Sequence, residues 1–277
     1  EQFMTDTAKL ADIVIPATTF LEHDDFYLAG GHTHVQIGDK IIQPFKQSRD
    51  NHSVVCDLAH RLGAEHRGFK MSACQIIEEV FQSAGWPHPD IVKKIGWHDC
   101  AASFEESHFL KGFKTEDGKF HFKTRLKPTA NTNGNVSTLP DHYDVIDNSN
   151  PKHDFRLVTA PAHNYLNSSF TETRTSQEKE ISPFILMNKD DAIDLQLMET
   201  DFVRVGNNLG EIIVPLRFAN KGLNRGVVVI ESIWPNTAFK NGIGVNALVS
   251  ADPAAPFGGA VFHDNAVWIR SAESESS

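Results

Sequence analysis

An acidic and histidine-rich stretch near the start of the chain combines residue types that could bind a metal. The stretch is "LEHDDFYLAGGHTHVQ", in which three acids and three histidines surround a Gly-Gly pair. Imidazole and carboxylate groups ligate divalent metals, and an extended backbone would direct the rings of His32 and His34 to one face. The spacing fits no zinc or calcium template, so we expect no protein metal ligand here. The histidines instead donate to a phosphate or substrate, pair with Glu22, or have a structural role.

Composition and charge limit the class of protein. The chain has 277 residues and a formal net charge of −10, which disfavours nucleic acid as a partner because its phosphates would be repelled. Its three cysteines lie far apart without a CxxC pair, so the chain itself predicts neither an iron–sulfur cluster nor a zinc knuckle. No apolar run approaches the ~20 residues of a membrane segment. The chain begins at Glu1 without a signal-like segment, so we expect a fragment that does not reveal whether the protein is cytoplasmic or periplasmic.

The first part of the chain reads as mixed α/β. The apolar run "ADIVIPA" is broken by Pro16, which predicts a buried strand that places the histidine-acid stretch in a loop at the carboxyl edge of a sheet. "SVVCDLAHRLGA" predicts an amphipathic helix from Ser53 to Gly63. "MSACQIIEEVFQSAG" predicts a second helix with Ser72 as its N-cap and Gly85 as its end.

The composition changes before the second part. Residues 128–151 are rich in Asn, Thr, Pro and Asp, which predicts a linker between a first domain at 1–127 and a second domain at 152–277. Short β-like runs and one helical turn, "DDAIDLQL", follow, and they favour a small barrel. The runs are "FRLVTA", "FILM", "DFVRVGN", "GEIIVPLRF", "GVVVIES" and "AVWIR".

Both parts carry motifs of one enzyme family. "TDTAKLADIVIPATTFLE" and "DLAHRLGA" in the first part, and "MNKDDAIDLQLMETDFVRVGNNLGEI", "GVVVIESIWPN" and "GVNALVSADPAAPFGG" in the second, resemble the C-terminal part of the molybdopterin-dependent oxidoreductases of the dimethyl sulfoxide reductase family. The motifs occur in the family's order and cover most of the chain except about 104–155. Two places depart from the pattern: Met198-Glu-Thr200 stands where many relatives have Asp-Gly before the Asp201 position, and Val249 stands where Thr is usual.

The resemblance implies a fold and a function. The fold is the α/β portion of a Rossmann-like domain followed by a double-psi β-barrel that binds molybdopterin dinucleotide. The function is two-electron redox chemistry by a complete catalytic subunit at molybdenum or tungsten held by two pterin guanine dinucleotides. The protein ligand of the metal, and any iron–sulfur cluster, would belong to the missing remainder of the subunit, so the fragment alone would be inactive. The alternative is a non-enzymatic double-psi barrel module that binds a nucleotide or a protein partner.

The resemblance also implies cofactor-binding residues. A pterin dinucleotide needs short donors on rigid turns, and "TAPAHNYLNSSF" offers Thr159, Pro161, Asn167 and Ser168, although a polar loop that only caps the barrel has the same composition. Further candidates lie in the later motifs and at the histidine-acid loop. Asp191 would bind guanine beside Asn188 and Asp190, and helix capping is the alternative role for the two acids. Asn246 would contact pterin or phosphate, or would close a turn of the barrel. Crevice contacts would come from Glu22, His32 and His34.

Overall fold

The computed structural model describes residues 1–123, 139, 146–147, 149–166, 168–219, 222–232, 234–254 and 258–272. The chain divides into two compact units, Glu1–Phe120 and His121–Ser277. Most of the predicted linker at 128–151 lies outside the described residues, so the proposed domain limits stay a prediction. Asp147, inside that segment, belongs to the second unit: the Ala266 N–H donates to its carbonyl at 2.9 Å, and the Ser250 N–H donates to its carboxylate at 2.9 Å.

The first unit contains one small antiparallel sheet and helices. Its sheet has the order β1-β2-β3, and its core consists of Val35, Ile77, Phe81 and Val92. The strands are β1 (Asp25–Leu28), β2 (His34–Gly38) and β3 (His98–Asp99). The helices are α1 (Asp6–Lys9), α2 (Asn51–Arg61), α3 (Ala73–Ala84), α4 (Pro89–Ile95) and α5 (Phe104–Ser107), with a 3₁₀ turn at Arg67–Lys70.

The two predicted helices of this unit exist, and one begins earlier than expected. The Ser72 hydroxyl caps α3 in a capping box with Gln75, and Gly85 ends it in the left-handed conformation, as predicted. The prediction that Ser53 starts the preceding helix was wrong. Asp50 is the N-cap of α2, because its carboxylate accepts hydrogen bonds from the Ser53 N–H at 2.8 Å and the Ser53 hydroxyl at 2.6 Å.

The predicted buried strand at "ADIVIPA" was also wrong. The segment forms one isolated parallel bridge, between Ala17 and Arg49, and Ile13 is 81% exposed. A strand needs a hydrogen-bonded neighbour along its length, and within the fully described first unit this run makes long-range backbone hydrogen bonds only in its last three residues, to Glu1 and Arg49. The apolar residues therefore indicate a surface rather than a core element.

The second unit is a closed six-stranded barrel with the ring order β4-β8-β5-β7-β6-β9. Its strands are the six predicted runs: β4 (Phe155–Pro161), β5 (Ile185–Met187), β6 (Phe202–Gly206), β7 (Glu211–Phe218), β8 (Val227–Ser232) and β9 (Asn265–Ser271). Two short helices, α6 (Arg174–Glu180) and α7 (Lys189–Asp194), and 3₁₀ turns at Asn236–Ala238 and Val245–Leu248 lie in its connections. The predicted helical turn at "DDAIDLQL" is confirmed for residues 190–194, which belong to α7, whereas residues 195–197 lie beyond the helix.

Alternating side chains explain the barrel core. Along β7, Ile212, Val214 and Leu216 are fully buried while their neighbours are partly exposed, which is the two-residue period of a strand with one face inward. The strand pairs β4–β8 and β5–β7 are parallel, and the other four pairs of the ring are antiparallel. The ring therefore has two rims that can be identified from strand direction.

The backbone conformation of Thr200 explains why many relatives have Gly at this position. It adopts a φ of 77°, in the left-handed region that a β-branched residue rarely occupies, and its side chain is exposed. Thr200→Gly should therefore stabilise the barrel by about 1 kcal/mol, because the strain is relieved without loss of packing. Chemical denaturation measures this gain, and Thr175→Gly, in the exposed surface of α6, is a control that should destabilise. An equal or lower stability for Thr200→Gly would contradict the strain.

Candidate functional site

The strand register places the predicted cofactor residues at opposite ends of the barrel. Pro161 and Ser232 pair at the carboxyl ends of the parallel strands β4 and β8, and we call this end the β4–β8 rim. Strand β5 runs antiparallel to β8, with Met187 opposite Val228, so the residues that follow β5 lie at the other end. We call that end the β5–β7 rim.

Thr159 lies near the β4–β8 rim and is already hydrogen bonded. It is buried, its hydroxyl donates to the Phe262 carbonyl at 2.7 Å, and its oxygen lies 3.0 Å from Nδ1 of His263. A hydroxyl has one proton, so His263 must supply the proton of the second bond from Nδ1. The Nε2 of the exposed His263 ring is then left for other partners. His263 was not predicted, although "HDN" directly before the strand "AVWIR" is a polar cluster at a strand start.

Ser168 sits in a tight turn of the segment that follows β4. Leu166 and Ser169 exchange two backbone hydrogen bonds, of 3.1 and 2.9 Å, and Ser168 lies between them. Its carbonyl accepts from the Thr171 hydroxyl at 2.7 Å, whereas its own hydroxyl is exposed and has no partner among the described residues. The predicted contact Asn167 lies outside the described residues. The exposed Pro161 is the last residue of β4, so the strand continues two residues past Thr159.

Asn246 lies on the same side of the barrel as Thr159. Strands β4 and β6 both run antiparallel to β9, so the end of β6 lies at the β4–β8 rim. The side chain of Asn207, the next residue after β6, donates to the Leu248 carbonyl at 2.8 Å, which holds the turn at Val245–Leu248 there. Asn246 in this turn is exposed and its amide makes no hydrogen bond to a described residue.

Asn188, Asp190 and Asp191 lie at the β5–β7 rim. The N-cap of α7 is Asn188, which accepts from the Asp190 N–H at 2.8 Å and donates to the Leu223 carbonyl at 2.9 Å. The alternative prediction, that Asp190 or Asp191 caps the helix, was therefore wrong. The carboxylate of the buried Asp191 accepts from Nε of Arg225 at 2.7 Å and from the Gly226 N–H at 2.7 Å. Guanine would have to compete with both donors for Asp191, whereas Asp190 is exposed.

A buried amide near Thr159 was also missed. Asn265 is fully buried at the start of β9, and neither its Nδ2 nor its Oδ1 has a hydrogen-bond partner among the described residues. Each unsatisfied buried polar group costs about 1–3 kcal/mol. Unpaired groups of this kind are often found where a ligand or an internal water completes the site.

The prediction that the histidine-acid stretch is a loop was wrong for part of it, because residues 25–28 and 34–36 belong to the antiparallel strands β1 and β2 of the first unit. Glu22 is buried and lines a cleft of about 810 Å³ together with His52 and Cys56, whereas His32 and His34 are not among the lining residues. The Glu22 carboxylate accepts from the Thr19 N–H at 2.7 Å and the Phe45 N–H at 2.6 Å. These bonds, the Thr19 one foremost, lower the pKa of Glu22 although burial opposes them. Glu22 therefore fastens its own loop and does not pair with the two histidines.

The two histidines do not assemble a metal site. The ring of His32 accepts the His34 N–H at Nδ1 over 3.1 Å, so a neutral His32 carries its proton on Nε2. The His34 ring packs at 4.5 Å against Trp97, edge to face. Within the described residues, no three His, Cys, Asp or Glu side chains are grouped so that they could hold a metal ion. In that same part of the chain, no helix is long and apolar enough to cross a membrane.

Comparison with known proteins places both units in one family. Residues 155–266 match the family model of the molydopterin dinucleotide binding domain, and residues 1–61 match that of molybdopterin oxidoreductase. The chain is 29% identical over 276 residues to the probable oxidoreductase YoaE of Bacillus subtilis, covering 96% of this chain and 38% of that protein. It is 21% identical to the trimethylamine-N-oxide reductase of Haemophilus influenzae, covering 83% of this chain and 31% of that protein.

A solved structure shares the fold. Acetylene hydratase from Pelobacter acetylenicus superposes with a TM-score of 0.71 over 90% of this chain and 36% of its own, at 18% identity. The chain therefore belongs to the molybdopterin-dependent oxidoreductases of the dimethyl sulfoxide reductase family, and it includes the molybdopterin dinucleotide-binding domain. It spans 38% and 40% of the length of two relatives from Bacillus subtilis.

Proposed function

We propose that this chain is the cofactor-binding part of an oxidoreductase catalytic subunit that holds molybdenum or tungsten between two pterin guanine dinucleotides. The bound metal and its pterins would supply two-electron redox chemistry on a small substrate. The chain would supply position and hydrogen bonds, and turnover would require the remainder of the subunit. The family match of residues 1–61 favours this class over a free-standing barrel module, which has no need of the first unit.

The β4–β8 rim supports the proposal most directly. Ser168 and Asn246 present an exposed hydroxyl and an exposed amide there, and Thr159 orients His263 so that Nε2 stays available. A dinucleotide offers phosphate oxygens, which accept, and pterin and guanine edges, which both donate and accept. These donors and acceptors fit such a ligand, and the unpaired amide of Asn265 adds a donor and an acceptor at the same side. We assign Asn188 and Asp191 to holding α7 in place, and Asp190 stays a candidate contact at the other rim.

The finer fold assignment is part of the proposal. A double-psi barrel contains two pairs of parallel strands that interlock, and the parallel pairs β4–β8 and β5–β7 support that topology. The parallel bridge between Ala17 and Arg49 supports a Rossmann-like parent domain for the first unit. Exposed Leu10, Ile13, Leu58 and Leu62 would then pack against the remainder of the subunit.

The test compares cofactor retention at the two rims. In the full-length protein, Ser168→Ala and Asn246→Ala should each weaken dinucleotide binding by about fivefold, since each removes one neutral hydrogen bond worth roughly 1 kcal/mol. The double variant should lose about thirtyfold if the two contacts are independent. The measurement is the dissociation of pterin guanine dinucleotide from equal amounts of folded protein, and Thr175→Ala on α6 is the matched control. Unchanged retention in the double variant would contradict the proposed rim.

A further inference from the structure

A buried carboxylate holds the segment that follows β4. Glu180, the last residue of α6, is 8% exposed, and the described residues give it no cationic partner. Its Oε1 accepts from both the backbone N–H and the side-chain amide of Asn164, the latter at 2.7 Å. Burying a carboxylate is costly unless it is hydrogen bonded. The hydrogen bonds that stabilise the buried Glu180 come from one loop residue, Asn164. The contact joins two places that are 16 residues apart in sequence.

The next residue of the segment is held from a different side. Tyr165 is 7% exposed, and its ring packs edge to face on Trp234 with a centroid distance of 5.1 Å. The Trp234 indole donates to the Glu231 carboxyl at 3.3 Å, and Glu231 belongs to β8. Adjacent residues are thus fixed by α6 and by β8. Immediately after them the chain enters the turn that presents Ser168.

Two titratable groups lie close to Glu180, and the pKa of each is raised. Burial is the main cause that raises the pKa of Glu231 above its ordinary value of 4.5, and the nearby Glu180 charge adds to it. Arg217 opposes that rise, and burial raises the pKa of Tyr165 as well, with Glu180, Glu172 and Glu231 adding to it. Both pKa values are raised, which is the direction that lessens the repulsion of like charges around Glu180.

We infer that Glu180 is a positioning residue for the dinucleotide: it fixes Asn164 so that the turn at Leu166–Ser169 keeps Ser168 directed at the ligand. The inference rests on the proposed function. A loop held at two adjacent residues loses its conformational freedom on folding rather than on binding, and this preorganisation strengthens binding without a contact to the ligand. Glu180 lies in none of the family motifs quoted from the sequence.

Substitutions at both ends of the contact test the inference in the full-length protein. Glu180→Ala should increase the hydrogen-exchange rate of the 162–170 backbone at least tenfold and should increase the dissociation rate of pterin guanine dinucleotide at least threefold. Glu180→Gln retains a carbonyl acceptor for Asn164, so it should restore most of both values. Asn164→Ala removes the side-chain bond and leaves the backbone N–H bond to Glu180, so it should raise both values in the same direction but by less than Glu180→Ala. The double variant should be no worse than Glu180→Ala, because that substitution already removes the whole contact.

The matched control is Glu178→Ala on the same helix. Glu178 is exposed and pairs with Arg174 one helical turn earlier, so its removal should change neither measurement. Unchanged exchange in both Glu180→Ala and Asn164→Ala would overturn the inference, as would faster exchange with unchanged dinucleotide retention. Wild-type protein without any pterin dinucleotide would overturn the proposed function and the inference with it. The Asn164 variant keeps α6 intact and decides the matter if Glu180→Ala does not fold.

Discussion

Replacing Asp191 by Ala should destabilise the barrel by about 3 kcal/mol, because Arg225 and the Gly226 N–H both lose a buried anionic acceptor. For a unit of this size the loss corresponds to a fall in Tm of roughly 10 °C. The matched control is Asp190→Ala. Asp190 is exposed and makes no side-chain hydrogen bond to a described residue, so its loss should cost less than about 1 kcal/mol.

The comparison of the two aspartates also separates a structural role from a ligand role. Thermal unfolding gives the stability of each variant, and pterin guanine dinucleotide analysis of folded full-length protein gives its cofactor content. If Asp191→Ala left the Tm unchanged but reduced the cofactor content, Asp191 would be a guanine-binding residue rather than a structural one. Equal destabilisation by both substitutions would show that the charge at the helix start matters more than the Arg225 contact.

Gly206→Ala should cost about 2 kcal/mol because an aromatic ring occupies the position of the new methyl group. A Cβ at Gly206 would lie 2.3 Å from Cζ2 and 2.7 Å from Cε2 of Trp268, which is its cross-strand partner. The indole would have to leave its place between the glycine and the Arg270 guanidinium, which lies 4.6 Å from the ring. Strand propensity alone predicts the opposite sign, since glycine weakens a strand interior.

A double-mutant cycle with Trp268→Ala identifies the cause. Without the indole, Gly206→Ala should be neutral or slightly stabilising in urea unfolding, so the two substitutions should be strongly non-additive. A cost of 2 kcal/mol for Gly206→Ala that persists in the Trp268→Ala background would contradict the steric explanation. The Trp268 ring would then not be the cause of the destabilisation.

The barrel was predictable from the sequence because its signals are local. Alternating apolar residues such as Ile212, Val214 and Leu216, bounded by turn residues, specify a strand with one buried face wherever its partners come from. The run "ADIVIPA" has the same apolar character, but whether it forms a strand depends on a neighbour that its own residues do not encode. In the first unit the neighbours are limited to Glu1 and Arg49, which bond only to the last three residues of the run.

The candidate site was less predictable because its residues hydrogen bond to partners that are far away in sequence. Thr159 takes its partner from 104 residues later, His263, and Asp191 takes Arg225 from 34 residues later. Residue type alone indicated that both could bind a ligand. It could not indicate that Thr159 and Asp191 already hydrogen bond to other residues of the protein. Nor could it place His263 and Asn265 near Thr159, or Glu180 beside the segment that follows β4. Strand direction, which decides the rim, is likewise a property of the ring as a whole.

The closed ring has a consequence for how the two units behave in concentrated solution. Every strand of the ring has a neighbour on both sides, so the barrel gives another chain no free backbone edge to add to. The sheet of the first unit is open, with β1 and β3 as its edges, and Leu28 on β1 is 56% exposed. Self-association into aggregates should therefore start in the first unit, and a charged residue at Leu28 would be the most direct way to suppress it.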